Sequence, residues 1–297
     1  MKVVDPHVHF WNLDTHVYPW MKPQGHLVGD ATAMLRNYQV SELLAEAGDI
    51  EIDKVVHVEA NHGSPPDPLE ESRWLQTLAD GDSLRGMPNG LVVGADLSLA
   101  GFEAQLAAQV EYRNVRGVRQ ILNVHSDPAY DYVGRHFMQE ARWREHFKLL
   151  EKYGLSFDLQ IYPSQMPTAV KLARDNPGTQ LIVNHTGMFV DRSSIAGYRA
   201  WRDGMRALAA CDNVAVKISG MAMLDHAWTV ESLRPYVLET LDAFGVERCM
   251  FASNFPVDSL FSSYEALWHA YAAIVADLNE DERNHLFRHN AEQFYRI

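Results

Sequence analysis

Cysteine is almost missing from this chain, with two thiols, Cys211 and Cys249, in 297 residues. Neither sits in a CxxC pair or near a histidine at zinc-finger spacing, which excludes a disulfide scaffold and a cysteine-based zinc site. Both thiols are expected to be reduced and structural. No long uncharged apolar run occurs, and no basic stretch followed by a hydrophobic one opens the chain. Those absences predict a soluble, cytoplasmic protein. Positive charge is also scarce: 26 Lys and Arg face 39 Asp and Glu, a net charge of −13. Nucleic acid and anionic membrane surfaces carry the same sign, so neither is expected as a partner, and a small molecule is. Self-association into a homo-oligomer is compatible with this reading. Gly/Ser linkers, charge blocks and solenoid-length repeats are lacking, which predicts a single domain over residues 1–297.

What the chain does have is a hydrophobic content of 47% and a repeating order of elements. Short β-branched runs at 3–9, 54–59, 91–96, 115–122, 155–161, 180–185, 214–219 and 249–254 predict eight strands. Stretches with helical spacing lie between them, at 40–47, 71–78, 102–111, 136–153, 166–174, 195–210 and 230–244, and a helical extension runs from 262 to the end. Strand and helix alternating eight times over this length predicts a (β/α)8 TIM barrel.

His7-Val8-His9 stands at the end of the first strand. Two imidazoles one residue apart share a strand face, so they can converge on one ion, one water or one substrate atom. Applying the same alternation to every strand predicts a polar inner face. It groups Val3, Asp5, His7 and His9; Val55, His57 and Glu59; Val92, Gly94 and Asp96; Gly117 and Arg119; Asp158 and Gln160; Leu181, Val183 and His185; Ala215, Lys217 and Ser219; Ala252 and Asn254. Their last members would meet at the C-terminal mouth, where barrel active sites form. So many ionisable groups in a core need pairing or a ligand, which marks the mouth as a candidate site. His7, His9 and His185 either hold one divalent metal such as zinc or polarise a carbonyl directly, without metal. Arg119 offers a planar fork for a carboxylate and Lys217 a mobile charge, or each forms a salt bridge with Glu59, Asp96 or Asp158. His57 and Glu59 contact substrate or orient a neighbouring imidazole. Asp158 and Gln160 complete the substrate-binding set. A long aromatic loop after strand 1, with Tyr18 and Trp20, either walls a ligand or plugs the mouth.

These residues resemble the amidohydrolase superfamily, within it the branch of sugar-acid lactonases and 2-pyrone-4,6-dicarboxylate lactonases. The matching segments are Asp5-Pro6-His7-Val8-His9-Phe10-Trp11, Tyr18-Pro19-Trp20, Gly117-Val118-Arg119, Phe157-Asp158-Leu159-Gln160, Asn184-His185-Thr186-Gly187, Val216-Lys217-Ile218-Ser219-Gly220, Phe251-Ala252-Ser253-Asn254-Phe255-Pro256 and Asn290-Ala291-Glu292-Gln293-Phe294-Tyr295. The resemblance implies a barrel, a site at the strand ends, and hydrolysis of a lactone of a small, carboxylated sugar acid or aromatic-degradation intermediate. Two departures stand out. Strand 4 has Arg119 where metal-dependent relatives carry a bridging lysine, which argues against a two-metal site. Strand 8 has Asn254 where the family usually has an aspartate base, and an amide accepts no proton at neutral pH. Asp258, four residues on, is the carboxylate nearest in sequence. Lactone isomerisation, decarboxylation, or ligand binding without catalysis are the alternatives this asparagine leaves open.

Overall fold

The computed structural model describes residues 1–21, 28–63, 67–81 and 85–297. Eight parallel strands run in sequence order around a barrel: β1 (Lys2–Val8), β2 (Glu51–Val58), β3 (Gly90–Gly94), β4 (Val115–Ile121), β5 (Ser156–Gln160), β6 (Leu181–Val183), β7 (Val214–Ile218) and β8 (Cys249–Phe251). Just past β8 the ring is joined to β1, where the amide of Asn254 donates to the His7 carbonyl and that of His9 to the Phe255 carbonyl. Most strands end earlier than their sequence runs predict. The last polar residues of those runs leave the ladder and turn into the mouth, as Glu59, His185 and Asn254 do.

Helices clothe the outside because the outward strand residues are apolar. Leu91, Val93, Val118, Phe157, Leu159, Val183, Val216 and Ile218 join one large buried cluster with Trp143, Trp201 and Trp268 from the surrounding helices. A second cluster fills the bottom of the barrel, made of Val4, Val56, Val58, Val92, Ile182, Ala215 and Met250 together with Tyr295. Tyr295 closes the last helix, Asn290–Tyr295. Lys54 Nζ donates to Glu292 and to the carbonyl of Ile297, while Arg296 donates to the carbonyls of Arg116 and Gly154. The predicted C-terminal extension thus stoppers the N-terminal end of the barrel.

Alternation fails in three strands, β1, β2 and β6; in β6 Leu181 and Val183 join the outer cluster and Ile182 points in, the reverse of the expectation. Val3 and Asp5 face outward, not inward, because a register shift lies between Asp5 and Val8. Pro6 sits in that interval and has no N–H to give the ladder. Asp5 accepts from the Ser253 amide and the Tyr264 hydroxyl, outside the barrel, and the shift is what delivers His7 and His9 to the interior. In β2 the faces are reversed from the expectation: Val56 and Val58 point in, Val55 and His57 out. Among the described residues no helix is long and apolar enough to cross a membrane.

Candidate active site

A cavity of about 440 Å³ opens at the C-terminal mouth. Its polar wall includes His9, Glu59, Arg119, Asp131, Gln160, His185 and Asn254, and its apolar wall includes Trp20, Tyr132, Met188 and Met223; His7 lies buried behind it. Trp20 is anchored by its indole N–H, which donates to the Ala60 carbonyl at 2.6 Å.

Hydrogen-bond partners fix what each imidazole can do. Nδ1 of His9 lies 2.7 Å from the Val58 carbonyl, which can only accept, so Nδ1 carries the proton and Nε2 is a bare lone pair. His7 is the reverse case. Its Nδ1 faces the Lys217 ammonium at 3.4 Å, a long hydrogen bond in which Lys217 donates, so the ring proton belongs on Nε2. That Nε2 is buried without a partner. Nδ1 of His185 is 3.2 Å from the Ser219 hydroxyl, and the His7 and His185 ring centres are 4.6 Å apart. The His185 ring fits only because residue 220 is glycine. A Cβ there would lie 2.5 Å from Nδ1, and the backbone has φ +62°. Burial pushes all three imidazoles well below their ordinary value, with the Lys217 and Arg119 charges acting in the same direction. They are neutral at pH 7.

Beneath His7 the charges are sealed off. Lys217 Nζ lies 2.5 Å from Asp158, and the Tyr295 hydroxyl donates to the same carboxylate at 2.9 Å. Burial pushes Lys217 down to about 8, opposed by Asp158, so it stays protonated at neutral pH. Lys217 and Asp158 are fully buried and do not line the cavity, which corrects their assignment as substrate contacts. His57 is corrected for a different reason. It faces the helix Pro68–Asp80, accepts from the Phe10 amide and has Nε2 3.8 Å from Glu71. Tyr18 packs on Trp11 and His62 and is likewise absent from the cavity wall. Arg119 does line it, but most of its fork is spent: Nε meets Glu59 at 2.7 Å, and the two NH groups reach the Glu59 carbonyl and Gln160. The salt bridge weighed for Arg119 is the arrangement observed.

Asn254 has a left-handed backbone, φ 60°, and is pinned by Asp258, which accepts from its Nδ2 at 2.9 Å. Oδ1 is thereby left buried and unpartnered at the cavity wall. Burial raises the Asp258 carboxyl to about 7 despite that bond. Asp131, Tyr132 and Met188 were missed from sequence. The loop after β4 holds the first two, and its aromatic content was the same signal that drew attention to the loop after β1. The sealed Tyr295 was missed too, although its segment is one of those that carry the resemblance.

The sequence profile of the amidohydrolase family matches residues 4–297. The chain belongs to that family. It is 44% identical over 300 residues to the protein y4mH of Sinorhizobium fredii, covering 99% of this chain and 98% of that one. An L-fucono-1,5-lactonase of Burkholderia ambifaria is 28% identical, with 99% and 95% covered. Among solved structures, an amidohydrolase of Burkholderia multivorans with bound zinc superposes with TM-score 0.81 over all of both chains at 22% identity, a likeness of fold.

Divalent metals are common in this family, so the mouth of this amidohydrolase was tested for one. Among the described residues, the side-chain trios whose donor atoms all lie within 4.8 Å are His16/His62/Glu70 and Asp49/Glu265/His269. His7, His9 and His185 do not form such a trio. The ammonium of Lys217 against Nδ1 of His7 makes Nε2 of that ring a donor and not a ligand. As arranged, these residues do not fit a resident cation.

Proposed function

We propose that this amidohydrolase hydrolyses a lactone of a neutral, polyhydroxylated sugar acid, using hydrogen bonds and not metal coordination to activate the carbonyl. The observation that carries this reading is the charge inventory of the cavity. Among the described residues its one guanidinium is held by Glu59, its other charged lining residue is the carboxylate of Asp131, and its histidines are neutral. Among the described residues a dicarboxylate would meet no uncompensated positive charge there, whereas hydroxyl groups would meet Gln160, Glu59, the remaining Arg119 N–H groups and the Asn254 amide oxygen. This reading departs from the expectation of a carboxylated substrate. The L-fucono-1,5-lactonases, one 28% and the other 26% identical, support the same substrate class.

The tautomers assign the steps. His185, which lines the cavity with its ring centre 4.6 Å from that of the buried His7, donates from Nε2 to the lactone carbonyl oxygen, where negative charge develops, while the Ser219 hydroxyl donates to its Nδ1. Water, oriented by Oδ1 of Asn254, loses a proton to the Nε2 lone pair of His9 as its oxygen bonds to the carbonyl carbon. The tetrahedral intermediate then collapses, the ring C–O bond breaks, and the proton held by His9 passes to the leaving ring oxygen. No aspartate is required on β8, because a histidine with a fixed tautomer is the base.

Acid release from a panel of aldonolactones and pyrone dicarboxylates tests the reading. Turnover of neutral aldonolactones is expected, and turnover confined to the dicarboxylates would overturn it. His9→Gln should lower kcat by about 10²- to 10⁴-fold while leaving KM within a few fold.

A further inference from the structure

A second cluster of ligand-type side chains stands outside the cavity wall, at the rim. His16 lies in the loop after β1, His62 in the loop after β2, and Glu70 in the helix Pro68–Asp80. One nitrogen or oxygen from each falls within 4.8 Å of the other two.

We infer that His16, His62 and Glu70 form a zinc-type cation site that ties the aromatic loop after β1 to the barrel. The argument is one of lone pairs. Nδ1 of His62 lies 3.0 Å from the Asp67 carbonyl, which only accepts, so that nitrogen carries the ring proton. Nε2 is then a bare lone pair, and 3.9 Å away lies a Glu70 carboxylate oxygen, another lone-pair donor. Two such atoms face each other comfortably when a cation, a bridging water or a second proton on the ring lies between them, and the third donor on the same spot favours the cation. His16 provides the third donor. Its ring centre is 5.0 Å from that of His62, and its Nδ1 is engaged by the Thr15 hydroxyl at 2.7 Å. A backbone or hydroxyl partner on the far ring nitrogen is the usual support of a ligating histidine.

Two imidazoles and a carboxylate suit Zn²⁺, with water in the fourth position. Tetrahedral ligands about 2.1 Å from the ion are about 3.4 Å apart, so the His62–Glu70 pair, 3.9 Å apart, closes by about 0.5 Å and the His16 donor, within 4.8 Å of both, by at most about 1.4 Å. The consequence concerns the cavity. His16 stands four residues before Trp20, which walls it, and the Gly63 amide already donates to the Val17 carbonyl at 2.8 Å between the same two loops. A cation would add a strong, reversible tie to that weak one.

The test is calorimetric titration of the metal-stripped full-length protein with Zn²⁺. Wild type should take up one equivalent that Glu70→Ala and His62→Ala lose or bind at least about tenfold more weakly. His185→Asn, altered at the barrel mouth, should retain it. Glu70→Ala guards against misfolding as an explanation, because that side chain is half exposed, and unchanged thermal melting in the metal-free state would confirm it. Equal uptake by wild type and both rim variants would overturn the site, as would no uptake by wild type. Loss of the equivalent in His185→Asn alone would assign the zinc to the mouth and also overturn it.

Discussion

At the scale of single residues, function turns on which nitrogen carries a proton, and that is set by neighbours far apart in sequence. Val58 decides His9, Lys217 decides His7, and Asp258 decides which end of Asn254 meets the cavity. Asp258 itself is measurable. Its carboxyl is raised from 3.8 to about 7 by burial, so the folded state holds its proton more tightly than the unfolded state. The stability this contributes is fully present below about pH 4 and is lost as pH rises to about 7, of the order of a few kcal/mol. Asp5, raised to about 6, acts in the same direction. Asp258→Asn should therefore flatten the loss of stability between about pH 4 and pH 7, read by urea denaturation at several pH values. A slope equal to wild type would show that this carboxyl is not the group responsible. From sequence, His7, His9, His185, Arg119 and Asn254 were legible as candidate site residues because each is among the last members of its run's predicted inner face. Their tautomers and ion pairs were not, since Lys217 and His7 stand 210 positions apart.

Among the elements, strand alternation located most of the inward faces and failed where a backbone irregularity intervened. The proline-linked register shift in β1 turned Asp5 outward, reversal of β2 sent His57 to the helix side, and reversal of β6 put Leu181 and Val183 in the outer cluster. Periodicity cannot reveal such a shift, because one extra residue exchanges the two faces of everything before it. The last helix shows the opposite limit. It reads as an ordinary amphipathic end, yet it inserts Tyr295 into the barrel, where its hydroxyl donates to the Asp158 carboxylate that holds Lys217. Tyr295→Phe removes one donor from a buried carboxylate and should cost about 1–3 kcal/mol in chemical denaturation. An unchanged midpoint would mean that Lys217 alone satisfies Asp158.

For the whole molecule, the excess of acidic residues and the neutral cavity together bear on association. A strongly negative protein repels an anionic substrate at long range and leaves an uncharged one untouched. Accordingly, kcat/KM for a neutral aldonolactone should change less than about twofold between roughly 0.05 and 0.5 M salt, whereas a dicarboxylate would gain markedly as its repulsion is screened. Steady-state kinetics at the two salt concentrations separates the cases. The sequence by itself determined the (β/α)8 barrel, the strand ends that furnish the site and the family, because element order, hydrophobic period and local motifs are properties of neighbouring residues. Only the tertiary structure decided that Arg119 is already paired, that Lys217 and Asp158 lie beneath the cavity, and that the His7 and His9 rings present opposite tautomers. Those outcomes depend on side-chain contacts between different strands, some adjacent and some across the barrel, and such contacts exist only once it closes.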